Sequence, residues 1–310
     1  MESLFATNFL SHQKLLDVIF SISIANMFSI PHLQITRIYY RLVVEDYKRF
    51  FRFPEAGIRG ALGYYLYDEI TKDFASPTHR ENCTHLYSAL LGPLPGTPAP
   101  PEGPQPRSIN LRFFALPQEY NKAGLEITFF GKSSTLAKPL EKALTTLGEE
   151  GIGHDATRFY IDGMRPPTVT DIANIQVADG DSVKLVFFTP TTFRHYRKES
   201  KDWNLEMFSW NLLQRIELLC KAYGSIDGTD WNFDELLQDL LAMESQAATT
   251  KTTRSRLSSR QNKRIDYSGF TGTVTLKNIS ETARALLSIG EMVGVGKNTT
   301  FGGGRYAITT

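Results

Sequence analysis

The order of strand-like and helix-like segments constrains the fold of this 310-residue chain more tightly than any other feature. Runs dense in β-branched and aromatic residues predict strands, and apolar residues at helical spacing, such as Leu140, Leu144 and Leu147, predict helices. In the first half, the predicted strands are 33–44, 108–116, 125–130 and 157–161, and the predicted helices are 58–71 and 136–147. The order is therefore strand, helix, two strands, helix, strand.

The second half repeats this order. The predicted strands are 183–189, 265–267, 271–276 and 301–308, and the predicted helices are 204–223 and 280–292. The strands 265–267 and 271–276 are expected to pair as a hairpin, and Ser280 is the expected N-cap of the last helix. Two successive β-α-β-β-α-β patterns predict an α+β fold of tandem ferredoxin-like (RRM-like) modules, each an antiparallel sheet with helices on one face.

These patterns divide the chain into three parts. Residues 1–32 form an N-terminal extension that is expected to be helical, and residues 33–170 form the first ferredoxin-like domain. Residues 171–310 form the second such domain, with an insertion at about 225–262 and a glycine-rich C-terminal loop.

The N-terminal segment and the cysteines bear on where the protein works. Residues 15–30 are almost wholly apolar, but Asp17 interrupts them, and they are shorter than the ~20 residues that cross a bilayer. A partly buried helix or an over-extended start site is favoured over a membrane anchor or export signal, and both alternatives stay open. Cys83 and Cys220 form no C-x-x-C pair, which favours buried thiols in a reducing compartment. We therefore expect a cytoplasmic protein with no membrane contact, no metal and no cofactor.

The distribution of charge is more informative than its sum. The 34 basic and 33 acidic residues give a net charge of +1, which by itself does not suggest a nucleic-acid partner. However, residues 222–246 carry acids without Lys or Arg, and residues 247–265 carry six basic residues without an acid. A second basic group, Arg194, His195, Arg197 and Lys198, follows the strand at 183–189. Separated positive patches attract phosphates, although a solvated loop is the alternative for the longer run.

The C-terminal segment 294–306, GVGKNTTFGGGRY, is the most specific motif in the chain. Its five glycines permit positive φ and close approach of backbone N–H groups to a phosphate, and Lys297 and Arg305 add charge. The segment is not a P-loop, because Asn298 follows the lysine and a strand follows the loop. A glycine-rich turn without a ligand is the alternative.

This motif and several others resemble the CRISPR-associated endoribonucleases that process precursor CRISPR RNA, the Cas "six" family of the repeat-associated mysterious protein (RAMP) superfamily. The resemblance is carried by SIGEMVGVGKNTTFGGGRYAI at 288–308 and by SSRQNKRIDYSGFTGTVTL at 258–276. Weaker similarities lie upstream, at FPEAGIRGALG (53–63), GIG (151–153) with Arg158-Phe159, VFFTPT (186–191) and the R-x-S-x-R-Q segment from Arg256. The family consists of two ferredoxin-like modules, in agreement with the duplicated pattern.

The resemblance implies binding of CRISPR repeat RNA and cleavage of precursor crRNA without a metal. The 2′-OH attacks the adjacent phosphate and leaves a 2′,3′-cyclic phosphate and a 5′-OH. The alternative is an inactive RAMP subunit that only binds crRNA in an effector complex, where other subunits would be further partners. The residues that the resemblance and the charge pattern assign to RNA are Gly294, Gly296, Lys297, Thr299, Gly302, Gly303, Gly304, Arg305, Arg194, Arg197, Arg256, Arg260, Gln261, Lys263 and Arg264.

The expected catalytic residues depart from the family pattern. Related chains often carry His in the first helix after Ala-Leu-Gly, where this chain has Tyr64. A tyrosine side chain, with an ordinary pKa of about 10, is a poor base at neutral pH but can orient the 2′-OH or act as an acid. Arg59 is expected to stabilise charge near Tyr64, and His195 and His32 are further candidates. For each of these residues, a core or surface role is the alternative.

Overall fold

The structure is a computed structural model that describes residues 30–50, 54–72, 76–93, 105–116, 120–152, 156–175, 177, 180–226, 231–253, 255–258 and 263–309. The predicted N-terminal helix falls almost wholly outside the described residues, and the three domain boundaries stay predictions. No described helix is long and apolar enough to cross a membrane.

The first module is a four-stranded antiparallel sheet with helices on one face. Its strands are β1 (Gln34–Val44), β2 (Ile109–Ala115), β3 (Lys122–Phe130) and β4 (Phe159–Asp171), and its helices are α1 (Tyr47–Phe50), α2 (Pro54–Thr71), α3 (Pro77–Leu91) and α4 (Ala137–Glu150). A 3-10 turn, Gly131–Leu136, precedes α4. The strand order is β2-β3-β1-β4, so that β1 lies between β3 and β4, as in a ferredoxin-like fold.

The second module repeats this arrangement. Its elements are β5 (Ser182–Thr191), β6 (Phe193–His195), β7 (Lys198–Ser200), α5 (Leu205–Tyr223), α6 (Phe233–Leu241), β8 (Glu244–Thr252), β9 (Ser255–Ser258), β10 (Lys263–Asp266), β11 (Gly269–Lys277), α7 (Glu281–Val293) and β12 (Tyr306–Thr309). The order of its main sheet is β12-β5-β11-β8, while β6–β7 and β9–β10 form separate two-stranded hairpins. The predicted α+β fold of tandem ferredoxin-like modules is confirmed.

One prediction about local structure is wrong, and one strand was missed. The segment 263–266 pairs with β9 and not with β11, and β11 pairs instead with β8 and β5. The predicted insertion at 225–262 therefore contains β8, a strand of the main sheet. Because β8 lies at the edge and most of its side chains are exposed, its sequence ESQAATTKT lacks the apolar alternation that predicts a strand.

Helix α3 was also missed, because few of its residues are apolar. Only Cys83, Leu86, Tyr87 and Leu90 of its 15 residues are buried. Its start was nevertheless signalled by Ser76, whose side chain accepts a hydrogen bond from His79 N, with proline in the first turn.

Two apolar cores lie between the sheets and the helices. One cluster gathers β1 to β4 with α2, α3 and α4. The other gathers β5 and β11 with α5, α6 and α7, and it also includes Leu33, Ile35 and Phe130 of the first module. Cys83 and Cys220 are free and buried, as predicted, and burial raises the pKa of Cys220 to about 12.

Two neighbouring side chains of β5 lie on opposite faces of the sheet, one in the core and one on the other face. The ring of Phe187 is 1% exposed and meets Phe208, Phe270 and Tyr306 at centroid distances of 5.1–6.3 Å, whereas Phe188 is 40% exposed.

We expect Phe187→Ala to lower the free energy of unfolding by about 3–5 kcal/mol, because it leaves a cavity among packed rings. The matched variant Phe188→Ala should lower it by about 1 kcal/mol or less. Denaturant unfolding measures both, and equal losses would contradict the assignment of Phe187 to the core.

Candidate nucleic-acid interface

The face of the first sheet that is turned away from its helices, called the open face below, is rich in cations. Alternation along β1 places Arg37, Tyr39 and Arg41 on this face, because the residues between them are buried against the helices. By the same alternation, β2 contributes Arg112 and Phe114, both partly exposed.

Strand register brings one row of side chains together across the sheet. Arg112 lies opposite Glu126 of β3, and Glu126 lies opposite Tyr39 of β1. On its other side, Tyr39 lies opposite Arg165 of β4. These residues are far apart in sequence, so only the strand pairing makes them one surface.

A groove of about 520 Å³ opens along this row. Its lining includes Arg41, Arg112 and Arg165, together with the rings of Tyr39 and Phe114. Guanidinium groups bind phosphates, and exposed aromatic rings stack with unpaired bases. A concave surface of this composition is suited to single-stranded nucleic acid.

The second module contacts two of the residues that line this groove, Arg112 and Glu126. The guanidinium of Arg112 lies 4.3 Å from the ring centroid of Phe188 on β5. Arg112 Nη1 is also 3.6 Å from Glu126 Oε2, and Arg305 Nη2, from the second module, is 3.7 Å from Glu126 Oε1. The pKa of Tyr39 is raised mainly by burial and, to a smaller extent, by a hydrogen bond to Glu126, and the phenol therefore stays neutral.

The glycine-rich loop is packed and not exposed, contrary to the expectation from sequence. Val295 N donates to Gly304 O at 2.9 Å, Lys297 N donates to Thr192 O at 2.9 Å, and Gly304 N donates to Pro190 O at 3.2 Å. A Cβ on Gly304, whose φ is +67°, would lie 1.7 Å from Val295 O. Several of the loop's N–H groups therefore hold the loop itself, and at Gly304 glycine is required by packing.

Arg305 is placed inside the protein. Its side chain is 2% exposed, and Nη1 donates to Met292 O at 2.7 Å. Burial lowers the pKa of Arg305, and the nearby Glu126 carboxylate opposes that effect. The predicted contact of this guanidinium with RNA does not fit its burial, and its visible role is to join the two modules.

The other predicted loop residues have mixed positions. Gly294, Gly302, Gly303 and Thr299 are buried, and Gly296 is half-buried. Lys297 is partly exposed, and its Nζ lies 2.6 Å from Glu199 Oε1 on β7. Most of these loop residues are thus packed inside the module, and their contacts with RNA stay a prediction.

The two basic segments form hairpins. Arg194 and Arg197 are exposed on and between β6 and β7. Arg256, Lys263 and Arg264 lie on the paired strands β9 and β10, while Arg260 and Gln261 lie outside the described residues. The described residues of the two basic groups therefore lie on two separate hairpins, except that Lys251 of the longer group lies on β8.

Arg59 and Tyr64 lie on different sides of α2. Arg59 is 8% exposed, Nε donates to Leu90 O at 2.8 Å, and the guanidinium lies 4.1 Å from the ring centroid of Phe301. Tyr64 is 65% exposed and lies about 140° further round the helix than Arg59. Arg59 therefore ties α2 to the glycine-rich loop, which differs from the expected charge stabilisation beside Tyr64.

His32 lies at the far end of β1. Its Nδ1 donates to Asp171 Oδ2 at 2.9 Å, and its carbonyl accepts a hydrogen bond from Ser225 N. The nine steps along the chain from His32 to Arg41 span about 30 Å when extended. Because α2 follows the opposite end of β1, His32 lies far along the strand from the start of this helix.

His195 is held between two aromatic rings. Its ring centroid lies 4.3 Å from that of Tyr196 and 4.6 Å from that of Trp210. Its Nε2 is buried without a hydrogen-bond partner. This position is that of a packed ring, and a role in proton transfer stays a prediction.

The segment that contains the glycine-rich loop is similar to a known protein family. Residues 185–306 match the family model of the CRISPR-associated endoribonuclease Cas6. Over this segment the chain is similar to the Cas6 family. The match spans β5 to the start of β12 and includes the β6–β7 hairpin, Lys297 and Arg305.

Solved Cas6 structures share the fold over most of the chain. The product complex of Cas6 TTHB231 has 16% identity and a TM-score of 0.56, with 89% of this chain and 99% of that chain covered. Thermus thermophilus Cas6 (TTHB231) has 16% identity and a TM-score of 0.52, with 89% of this chain and 99% of that chain covered. The Cas6 TTHA0078 product complex has 16% identity and a TM-score of 0.53, with 89% of this chain and 100% of that chain covered. No curated protein gives a match.

The predicted role of Arg305 can be separated from that of Lys297. We expect Arg305→Ala to lower the free energy of unfolding by about 3–5 kcal/mol, because it leaves Glu126 buried with one cation fewer. Lys297→Ala removes a half-exposed ion pair and should cost about 1 kcal/mol or less. Denaturant unfolding checks both. An Arg305→Ala protein of unchanged stability that has lost RNA binding would restore Arg305 as a ligand residue.

Proposed function

We propose that this protein is a Cas6-type endoribonuclease that binds CRISPR repeat RNA and processes precursor CRISPR RNA. The observation that carries the proposal is the groove on the open face, where arginines from three strands meet two aromatic rings. Two structures with the same fold are product complexes of Cas6 proteins, at 16% identity to this chain.

The groove offers contacts to the phosphates and base faces of RNA, and such contacts do not depend on the RNA sequence. Arg41 and Arg165 are exposed at its edge and can pair with phosphate oxygens, while Tyr39 and Phe114 offer ring faces. Arg112 is oriented by Glu126 and Phe188 before any ligand arrives. An oriented guanidinium loses little side-chain entropy when a phosphate binds.

The proposed cleavage is an internal transfer that needs no metal ion. The ribose 2′-oxygen forms a bond to the adjacent phosphorus as the bond from phosphorus to the 5′-oxygen breaks. The 2′-OH proton passes to a base, and the leaving 5′-oxygen receives a proton from an acid. The products carry a 2′,3′-cyclic phosphate and a 5′-OH, and arginine cations offset the added charge on the phosphorane.

Tyr64 is the retained candidate for contact with the reacting ribose. Its side chain is exposed on α2, whose other side is tied to the glycine-rich loop through Arg59 and Phe301. A neutral phenol can orient the 2′-OH or protonate the leaving oxygen, but it is a poor base.

A second candidate function is RNA binding without cleavage, as a subunit of an effector complex. The observation that favours it is the dispersal of the proposed catalytic side chains. Arg59 is buried, His195 is packed between rings, and His32 lies at the far end of β1. The groove is independent of these residues and would serve either function.

Cleavage is tested by incubating the full-length protein with repeat RNA in EDTA. We expect fragments ending in a 2′,3′-cyclic phosphate, detected by mass spectrometry. Tyr64→Phe should slow cleavage by about 10²- to 10⁴-fold, the range for a positioned acid–base group, with little change in RNA affinity. Tyr67→Phe, at another exposed tyrosine of α2, is the matched control. Binding without cleavage by the parent protein supports the second candidate, and absence of both contradicts the proposal.

Groove binding is tested by the double variant Arg41→Ala/Arg165→Ala. Loss of two phosphate contacts should weaken single-stranded RNA binding and reduce the slope of log affinity against log salt by roughly 1.4, at ~0.7 per contact. The control Lys138→Ala/Lys142→Ala removes the same charge from α4, on the helical side of the module. If both double variants shift the slope equally, only overall charge matters and the groove is not the binding surface.

A further inference from the structure

The β6–β7 hairpin has an unusual turn. Tyr196 and Arg197 connect the two strands with φ of 44° and 67°, both in the left-handed region. A two-residue hairpin turn of this type favours Asn and Gly, because a side chain with a bulky Cβ substituent is strained there. Three of the six non-glycine residues with positive φ in the described part of the chain are asparagines, whereas this turn uses a tyrosine and an arginine.

The base of the hairpin is firmly held. Asn211 on α5 accepts from Arg194 N at 3.3 Å and donates to Arg194 O at 3.2 Å. Phe193 is 0% exposed in the second core, and Glu199 on β7 pairs with Lys297 of the glycine-rich loop. The surroundings therefore impose the turn geometry on two residues that do not favour it. Such strain is typical of functional positions.

The tip of the hairpin presents an aromatic surface. Tyr196 is 82% exposed, although its ring is large and apolar. Behind it, His195 contacts both Tyr196 and Trp210, so that three rings form one cluster that extends from α5 to the tip. The turn thus holds a tyrosine ring in solvent against a rigid support.

Three cationic residues lie within two positions of Tyr196 in the sequence. Arg194, Arg197 and Lys198 are all exposed on the same short hairpin. An exposed aromatic ring among cations combines the two contacts that proteins make to single-stranded nucleic acid, namely base stacking and phosphate pairing.

We propose that Tyr196, supported by His195 and Trp210, is a stacking platform for one unpaired base of bound RNA, whose flanking phosphates pair with Arg194 and Arg197. The inference rests on the proposed RNA-binding function and assigns it a base contact outside the groove. It also gives His195 a role as a support for the platform, in place of proton transfer.

The test uses a 12-nucleotide single-stranded RNA of mixed sequence that carries 2-aminopurine, whose fluorescence is quenched on stacking. Tyr196→Leu should weaken binding by roughly 5- to 150-fold, the range for loss of one base–aromatic stack, and remove the quenching component due to the platform. Tyr196→Phe keeps the ring and should retain both. Tyr120→Leu, at a turn tyrosine that is 92% exposed in the first module, is the matched control and should bind as the parent does.

The outcomes separate the two proposals. If the parent protein binds this RNA and Tyr196→Leu binds and quenches equally well, the platform is wrong and the proposed function stands. If Tyr196→Phe weakens binding as much as Tyr196→Leu, the phenol hydroxyl and not the ring face is responsible, which also overturns stacking. If the parent protein binds neither this RNA nor repeat RNA, the proposed function fails and the platform fails with it. Circular dichroism confirms that each variant is folded.

Discussion

The buried carboxylate of Glu126 is the contact that ties the groove of the first module to the second module. It lies on the open face of the first sheet, 4% exposed, and has Arg112 of its own module and Arg305 of the other within 4 Å. A carboxylate buried at this depth is stable only with cationic partners, and the two arginines would repel each other without it. One acidic side chain therefore joins the modules and orients the arginine at the groove.

The module arrangement was predictable from sequence because the periodic patterns are strong. The apolar spacing of α4, α5 and α7 and the dense strand at β1 are features of buried faces, and burial is what periodicity reports. The failures have the same origin. Edge strand β8 buries little and α3 buries four residues, so neither has a pronounced apolar pattern. The pairing of β10 with β9 was not predictable from composition, because both strands are short.

The candidate site was predicted only in part. Charge runs and glycines are visible along the sequence, and they led to the hairpins and the glycine-rich loop. The groove was missed, because Arg41, Arg112 and Arg165 are isolated residues on three strands and meet only through register. The burial of Arg305 was not predicted, for the opposite reason: a cation beside glycines looks like a phosphate ligand, and only the fold reveals that Glu126 lies beside it. Sequence locates charge, whereas the fold decides whether that charge faces solvent.

Alternation along β5 links the packing of the second core to the position of the arginine at the groove. Phe187 packs in the second core, and its neighbour Phe188 contacts Arg112 across the module boundary. A shift of this strand by one residue would exchange the two faces, removing a core ring and an arginine contact in a single step. The groove and the second core therefore share one register, so a partly unfolded chain with β5 detached would lose its arginine orientation together with its core. Selection for a stable second module would then preserve the geometry of the groove even where the RNA ligand exerts no pressure of its own.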